Sequence, residues 1–138
     1  MNRLTSTLVL AAVIAALTAA SALASPPSYQ LVIRHQLKGC HAWAVSGGAY
    51  KAKQTLVAAP GTKLTFMDND VMPHTLFQLS GPKVTLTTPS MHAPGATATT
   101  QLFTKGTYVF GTKAGEDYMK GVKTIGADNT LRLVVVIH

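Results

Sequence analysis

After its first two dozen residues, the chain consists of short β-forming runs separated by turn-forming residues, and this pattern limits the folds that it can adopt. The runs 29–33, 54–58, 84–87, 108–110 and 131–137 are rich in Val, Ile, Leu, Thr and aromatic residues, and Gly, Pro, Asn or Asp stands between such runs. None of these segments shows the long 3.6-residue apolar period of an amphipathic helix. Seven or eight runs with these spacings predict an all-β domain built as a two-sheet sandwich.

The N-terminal residues have the pattern of a secretory signal peptide. Arg3 supplies a positive charge, an apolar run covers 8–20, and Ala-Leu-Ala at 22–24 forms a cleavage site of the A-x-A type. The apolar run is shorter than the roughly 20 residues that a membrane-spanning helix needs. We therefore expect a signal peptide at 1–24 and one exported domain at 25–138, periplasmic or secreted, with no integral membrane segment in the mature chain.

The charge of the chain restricts its partners. Twelve Lys and Arg residues face five Asp and Glu residues, which gives a net charge of +7. A basic surface attracts acidic proteins, anionic membranes or nucleic acids. The basic residues are scattered singly and form no cluster with aromatic residues, so nucleic acid is not an expected partner. Paired carboxylates, a Gly-rich phosphate loop, a Ser/His/Asp arrangement and an H-x-x-x-H zinc pattern are all missing from the sequence, which predicts a protein that is not an enzyme.

The most specific local signal is the segment 67–76, Met-Asp-Asn-Asp-Val-Met-Pro-His-Thr-Leu. Asp68 and Asp70 favour a turn between two β-runs. Pro73 has a fixed φ and also restricts the residue before it, so the ring of His74 is presented from a stiff corner. Stiff presentation suits a metal ligand.

This corner resembles the first copper-ligand corner of the cupredoxins, which are small blue-copper β-sandwich proteins. The resemblance covers most of the mature chain, because 61–66, the hairpin 103–110 and the valine-rich run 131–137 also stand where cupredoxins have them. It implies a Greek-key β-sandwich of seven to eight strands, a single copper ion and a protein partner for electron or copper exchange.

The resemblance fails where cupredoxins carry their copper cysteine. Thr112 stands at that position, and the following loop 113–119 contains no histidine. Only Met119 has a spacing similar to that of the usual axial methionine. A site of two histidines, one cysteine and a weak methionine therefore cannot be built from this loop alone.

The missing ligand types occur in two other loops. The loop 35–41 contains the only cysteine, and the loop 89–95 contains a methionine and a histidine. Because each strand reverses the chain, both loops are expected at the same end of the sandwich as the corner and the loop 113–121. We therefore predict that the copper ligands come from His74, Cys40, Met119, His41, His92, Met91 and Glu116.

Each candidate also has a simpler interpretation. Cys40 could form an intermolecular disulfide or remain a buried thiol. Met91 and His92 could belong to an apolar loop rim, Met119 could pack in the core, and Glu116 could be a solvated loop charge. Five further Met, Asp and His residues are expected to pack in the core, to form turns or to lie around the ligands without binding copper: Met67, Met72, Asp68, Asp70 and His35.

Three functions remain open. The first is periplasmic electron transfer through a mononuclear copper site with non-standard ligands, and the stiff His74 corner favours it. The second is a copper carrier or resistance protein that buffers Cu(I) and passes it to a partner. The third is a metal-free cupredoxin-like module that binds another protein.

Overall fold

The computed structural model describes residues 24–115 and 120–138. The predicted signal peptide up to residue 23, Glu116 and Met119 lie outside these residues. The described chain forms nine β-strands: β1 (Ser28–Gln36), β2 (Cys40–Val45), β3 (Lys53–Ala58), β4 (Thr62–Asn69), β5 (His74–Ser80), β6 (Ser90–Met91), β7 (Ala96–Leu102), β8 (Gly106–Ala114) and β9 (Arg132–Ile137). In this part of the chain there is no helix of the length and apolarity needed to cross a membrane.

The strands form two sheets. One has the order β2-β1-β4-β7 and the other has the order β3-β9-β8-β5-β6. β1 runs parallel to β4, β3 runs parallel to β9, and the other neighbours are antiparallel. The predicted all-β, cupredoxin-like Greek-key sandwich is therefore confirmed, with nine strands instead of seven or eight.

Two local predictions differ from the structure. The predicted loop 35–41 is mostly strand, because β1 and β2 continue to pair as far as Gln36 and Cys40 and leave only a tight turn at 37–39. The run 84–87 forms no strand and makes a single bridge, between Thr87 and Thr99. Prolines flank that run on both sides and withhold the N–H donors that a longer ladder needs.

Alternation of side chains along the strands fills the space between the sheets. In β9, Leu133, Val135 and Ile137 point into the core, whereas the residues between them are only partly covered. The rings of Trp43, Phe66 and Phe110 continue the core, with centroids 6.2 Å apart for the first pair and 5.7 Å for the second. Each fully buried large apolar side chain contributes about 1.5–3 kcal/mol to folding.

The topology brings the ends of four strands together at one end of the sandwich. β1 ends beside the end of β4, because Arg34 pairs with Asn69 in the parallel ladder. β2 begins next to the same point, since His35 and His41 are cross-strand partners. β5 then starts at His74 directly after the turn that ends β4. This end of the sandwich therefore collects the histidines of three different strands.

Candidate metal centre

Asp68 fixes the turn that leads into His74. Its Oδ1 accepts the backbone N–H of Asp70 at 3.0 Å, and its Oδ2 accepts the backbone N–H of His74 at 3.2 Å. One carboxylate thus joins the two ends of the turn. Burial raises the pKa of Asp68 to about 6, because the charged form loses its hydration.

Asp70 lies at the centre of the cluster. Its Oδ1 accepts the backbone N–H of Val71 at 2.6 Å, and its Oδ2 lies 3.2 Å from Nε2 of His74. Burial opposes ionisation of Asp70, but the hydrogen bond with His74 and the backbone hydrogen bond from Val71 outweigh it and hold the pKa below its usual value. A buried carboxylate anion therefore faces the histidines.

His41 presents a lone pair to this anion. Its Nε2 lies 2.6 Å from the backbone carbonyl oxygen of Asn129, and a carbonyl only accepts, so Nε2 carries the proton. The other nitrogen of the neutral ring, Nδ1, then has a lone pair, and it lies 4.0 Å from Oδ2 of Asp70. This Nδ1 is buried and has no hydrogen-bond partner. Burial and the neighbouring His74 lower the pKa of His41, which keeps the ring neutral.

His35 faces Oδ1 of Asp70 in the same way as His41 faces Oδ2. Its Nε2 lies 3.2 Å from the carbonyl oxygen of Lys123, which again assigns the proton to Nε2. Its Nδ1 lies 3.6 Å from Oδ1 of Asp70 and makes no hydrogen bond. Two imidazole lone pairs therefore point at one carboxylate with no hydrogen between them.

His74 completes the cluster from β5. Its Nδ1 lies 2.9 Å from the hydroxyl oxygen of Thr112, and its side chain is fully buried. Its ring meets the ring of His41 edge-on, at a centroid distance of 5.0 Å and an interplanar angle of 89°. Nε2–H of His74 donates to Oδ2 of Asp70, because a carboxylate anion only accepts, and Nδ1 then accepts from the hydroxyl of Thr112.

These groups fit a metal ion. One ligand atom each from His41, Asp70 and His74 lies within 4.8 Å of the others, and all three residues are buried. Two buried lone pairs that oppose an anion leave a gap that a cation fills. Metal-binding histidines commonly donate their second N–H to a carbonyl or another oxygen, as His41 and His35 do to the carbonyls of Asn129 and Lys123. Imidazole and carboxylate donors together suit borderline divalent ions such as Cu²⁺ and Zn²⁺.

Two sulfur atoms lie close together, in residues that neighbour the members of this cluster in sequence. Sγ of Cys40 is 3.4 Å from Sδ of Met72. Cys40 is buried, directly precedes His41 and has a left-handed backbone with φ of 62°. Thioether and thiolate sulfur are soft donors and prefer Cu(I).

The structure places the predicted ligands in different surroundings. His74 and His41 lie together in the cluster, and Cys40 adjoins it through its neighbour in sequence. Met91 is fully buried and pairs with His74 between β5 and β6. His92 is exposed and lines a shallow cavity of about 260 Å³. Met119 and Glu116 lie outside the described residues, so their ligand roles stay predictions.

Sequence reasoning misses two members of the cluster. It assigns Asp70 only to a turn, whereas the carboxylate also faces three imidazoles. It places His35 near the ligands without giving it a role. The sequence does contain a signal that Asp70 has a further role. Asp68, two residues before it, already supplies the carboxylate that accepts the backbone N–H groups of the turn.

Comparisons with known proteins add little to this geometry. The sequence matches no protein family and no curated protein. Among solved structures, an inclusion body protein from Burkholderia cenocepacia J2315 is 8% identical, with 83% of this chain and 96% of that chain covered and a TM-score of 0.47. A Cu-containing nitrite reductase from Thermus scotoductus SA-01 is 12% identical, with 82% and 28% covered and a TM-score of 0.44. Rusticyanin from Thiobacillus ferrooxidans is 14% identical, with 83% and 79% covered and a TM-score of 0.39.

Proposed function

We propose that the protein is an exported, cupredoxin-like copper protein that transfers electrons through one copper ion held by His41, His74 and Asp70. The observation that carries this proposal is the buried Nδ1 of His41, which has a lone pair, no hydrogen-bond partner and a carboxylate oxygen 4.0 Å away. His35 faces the second oxygen of Asp70 in the same way and is the nearest additional donor. The proposal includes no enzymatic reaction.

Copper is favoured over other ions by the donor set and by the resemblance in sequence. Imidazole nitrogen binds copper and zinc well, and among divalent first-row metals copper forms the most stable complexes. When bound, copper supplies one-electron exchange between its Cu(I) and Cu(II) states. Zinc in this site would supply no such exchange, which makes the choice of metal the first question for experiment.

The protein's own residues would keep this exchange fast. The carbonyls of Asn129 and Lys123 and the hydroxyl of Thr112 each hold the outer nitrogen of one histidine. Rings held in this way change orientation little when the charge at the site changes. The charge of Asp70 offsets part of the positive charge of a bound ion.

The Cys40–Met72 sulfur pair favours copper carriage as a second candidate function. These atoms lie 3.4 Å apart and provide soft donors beside a set of nitrogen and oxygen donors. A carrier would hold Cu(I) on the sulfur atoms and pass it to a copper-exchange partner. A ligand role for Cys40 would add a thiolate to the three donors in either candidate and stays a prediction, as does a weak axial role for Met119.

A metal titration with a matched control tests the proposal. The metal-free mature protein is titrated with Cu(II), and separately with Zn(II), against a competing chelator, and the copper form is examined by EPR. We expect one equivalent of copper with nitrogen hyperfine coupling. His41→Ala should weaken binding by more than the roughly 10–100-fold that loss of an outer-shell partner costs.

His138→Ala is the control, because His138 is an exposed histidine that is not among the predicted ligands. Equal copper binding by wild type and His41→Ala would refute the proposed site and leave a metal-free binding module as the better function. A redox-silent protein that binds zinc more tightly than copper would refute the electron-transfer role.

A further inference from the structure

The outer face of the five-stranded sheet is unusually apolar. Val57 is 57% exposed, Phe77 is 38% exposed and Leu79 is 43% exposed. The outward-pointing valines of β8 and β9 lie between them and are only partly covered: Val109, Val134 and Val136. An outward sheet face that meets only water carries mainly polar residues.

The strand register makes this patch continuous. Val57 pairs with Val136 between β3 and β9, and Val134 pairs with Val109 between β9 and β8. On the far side, Phe77 and Leu79 both lean over Gly111, where an added Cβ would lie 3.3 Å from Leu79 and 3.4 Å from Phe77. The patch crosses four strands, which at the usual strand spacing is about 14 Å.

The rim of the patch is basic at one end. Lys53 on β3, Lys113 on β8 and Arg132 on β9 point to the same outer side as the apolar residues. The acidic residues of the described chain lie elsewhere, because Asp68 and Asp70 are buried and Asp128 is close enough to His41, in the other sheet, to affect the pKa of that histidine. On this face, the charged residues of the described chain are therefore all positive, and they lie at one end of the apolar patch, where β3 and β9 begin and β8 ends.

We propose that this face, the outer side of the β3-β9-β8-β5 sheet, docks an acidic protein partner. An apolar centre with a polar rim is the usual anatomy of a protein interface, and a negative surface opposite Lys53, Lys113 and Arg132 complements the charge. The proposal is independent of the copper site, because no residue of this face belongs to the cluster around Asp70.

Two other occupants fit the face less well. An anionic membrane is entered by protruding aromatic and long apolar side chains, and this patch has two of them, Phe77 and Leu79, whereas its four valines are too short for deep insertion. A second copy of the chain would bring basic rims together in a molecule with a net charge of +7, which opposes association. Large exposed apolar patches mark interaction sites, so a complementary protein is the occupant that remains.

Site-specific crosslinking tests this proposal in the full chain. The photo-crosslinking residue p-benzoylphenylalanine replaces Val57 in one variant and Phe103 in the other, and both are expressed in the cells that produce the protein. Phe103 is 66% exposed and lies outside the patch, which makes it the control. We expect a protein crosslinked from position 57 and absent from position 103, and this protein is then purified.

Binding of the purified partner decides the result. We expect an acidic protein whose affinity falls with added salt, and falls roughly tenfold or more for Phe77→Ser and for Lys53→Glu. Phe103→Ser and Lys63→Glu, which change exposed residues away from the patch, should bind like wild type. Circular dichroism checks that each variant is folded.

Four results would overturn the proposal. They are a crosslink only to a second copy of the chain, binding only to phosphatidylglycerol vesicles and not to phosphatidylcholine vesicles, unchanged affinity in Phe77→Ser, and no crosslink at position 57 above the level at position 103. None of these results depends on copper, so failure here is distinguishable from failure of the proposed function.

Discussion

The backbone carbonyl of Asn129 lies 2.6 Å from Nε2 of His41, and this contact decides which nitrogen of His41 faces Asp70. Asn129 also donates from its side-chain amide to the carbonyl of His41 at 2.9 Å, and from its backbone N–H to the carbonyl of Gly39 at 2.9 Å. A residue 88 positions further along the chain thus holds His41 at two points and the nearby Gly39 at a third, and this clasp positions the ring of His41.

A methyl group at Gly39 should loosen this clasp. An added Cβ would lie 2.5 Å from the amide nitrogen of Asn129, so Asn129 would have to move. We expect Gly39→Ala to lower copper affinity by roughly 10–100-fold, as is typical for loss of an outer-shell partner. Chelator competition measures the affinity, and ¹⁵N NMR of the histidine rings reports whether His41 keeps its tautomer.

Gly47→Ala is the matched control for Gly39→Ala. Gly47 has nearly the same left-handed backbone, with φ of 79° against 78°, and nothing lies within 4 Å of its added Cβ. Both substitutions therefore carry the same backbone strain, and only the first displaces Asn129. Equal effects of the two on copper affinity would contradict the clasp.

Removal of the charge at Asp70 should abolish the preference of the cluster for a cation. Asp70→Asn keeps a carbonyl oxygen that can accept from Val71, so the turn is largely preserved. We expect Cu(II) affinity to fall by more than about 100-fold, beyond the range of outer-shell changes. Isothermal titration with Asp128→Asn as the exposed control checks this, and unchanged affinity in Asp70→Asn would exclude Asp70 as a ligand.

The sulfur pair should discriminate between the two oxidation states of copper. We expect Cys40→Ser and Met72→Leu to lower affinity for Cu(I) more than for Cu(II), because soft donors stabilise the soft ion. Met67→Leu, at a half-buried methionine that is not a predicted ligand, serves as the control, and Met91→Leu tests the fully buried methionine. A visible thiolate-to-copper band that persists in Cys40→Ser would rule out Cys40 as a ligand, and a loss of Cu(I) in Met91→Leu would support the predicted role of Met91.

The raised pKa of Asp68 should make the contribution of this residue to the stability of the metal-free protein fall as pH rises. Between pH 3.8 and about 6 the folded protein holds a proton on Asp68 that the unfolded chain has lost. The contribution of this group to stability is therefore complete below pH 3.8 and declines as pH rises through about 6.

Urea unfolding between pH 4 and 7 measures this dependence. Asp68→Asn should lose it, so the stability difference between wild type and Asp68→Asn should shrink or reverse as pH rises. Asp128→Asn, at an exposed aspartate, should follow the wild-type profile. A difference between wild type and Asp68→Asn that does not vary with pH would contradict the raised pKa.

The sequence by itself determined the class of fold and the strongest ligand candidate. Alternating apolar residues in runs such as 131–137 specify one buried face, and proline before His74 specifies a stiff corner, because both effects act between near neighbours in the chain. The same local rules fail at 35–41, where pairing between β1 and β2 extends strand into residues that look like a loop.

Only the tertiary structure decided how the candidate metal centre is assembled. The two lone pairs that face Asp70 exist because the carbonyls of Lys123 and Asn129 bind the outer nitrogens of His35 and His41 across 88 residues of chain. Every residue has a backbone carbonyl, so no residue type marks these two. Their position depends on how distant segments pack against the sheets, and the same packing converts Asp70 from a turn residue into the anion at the centre of the cluster.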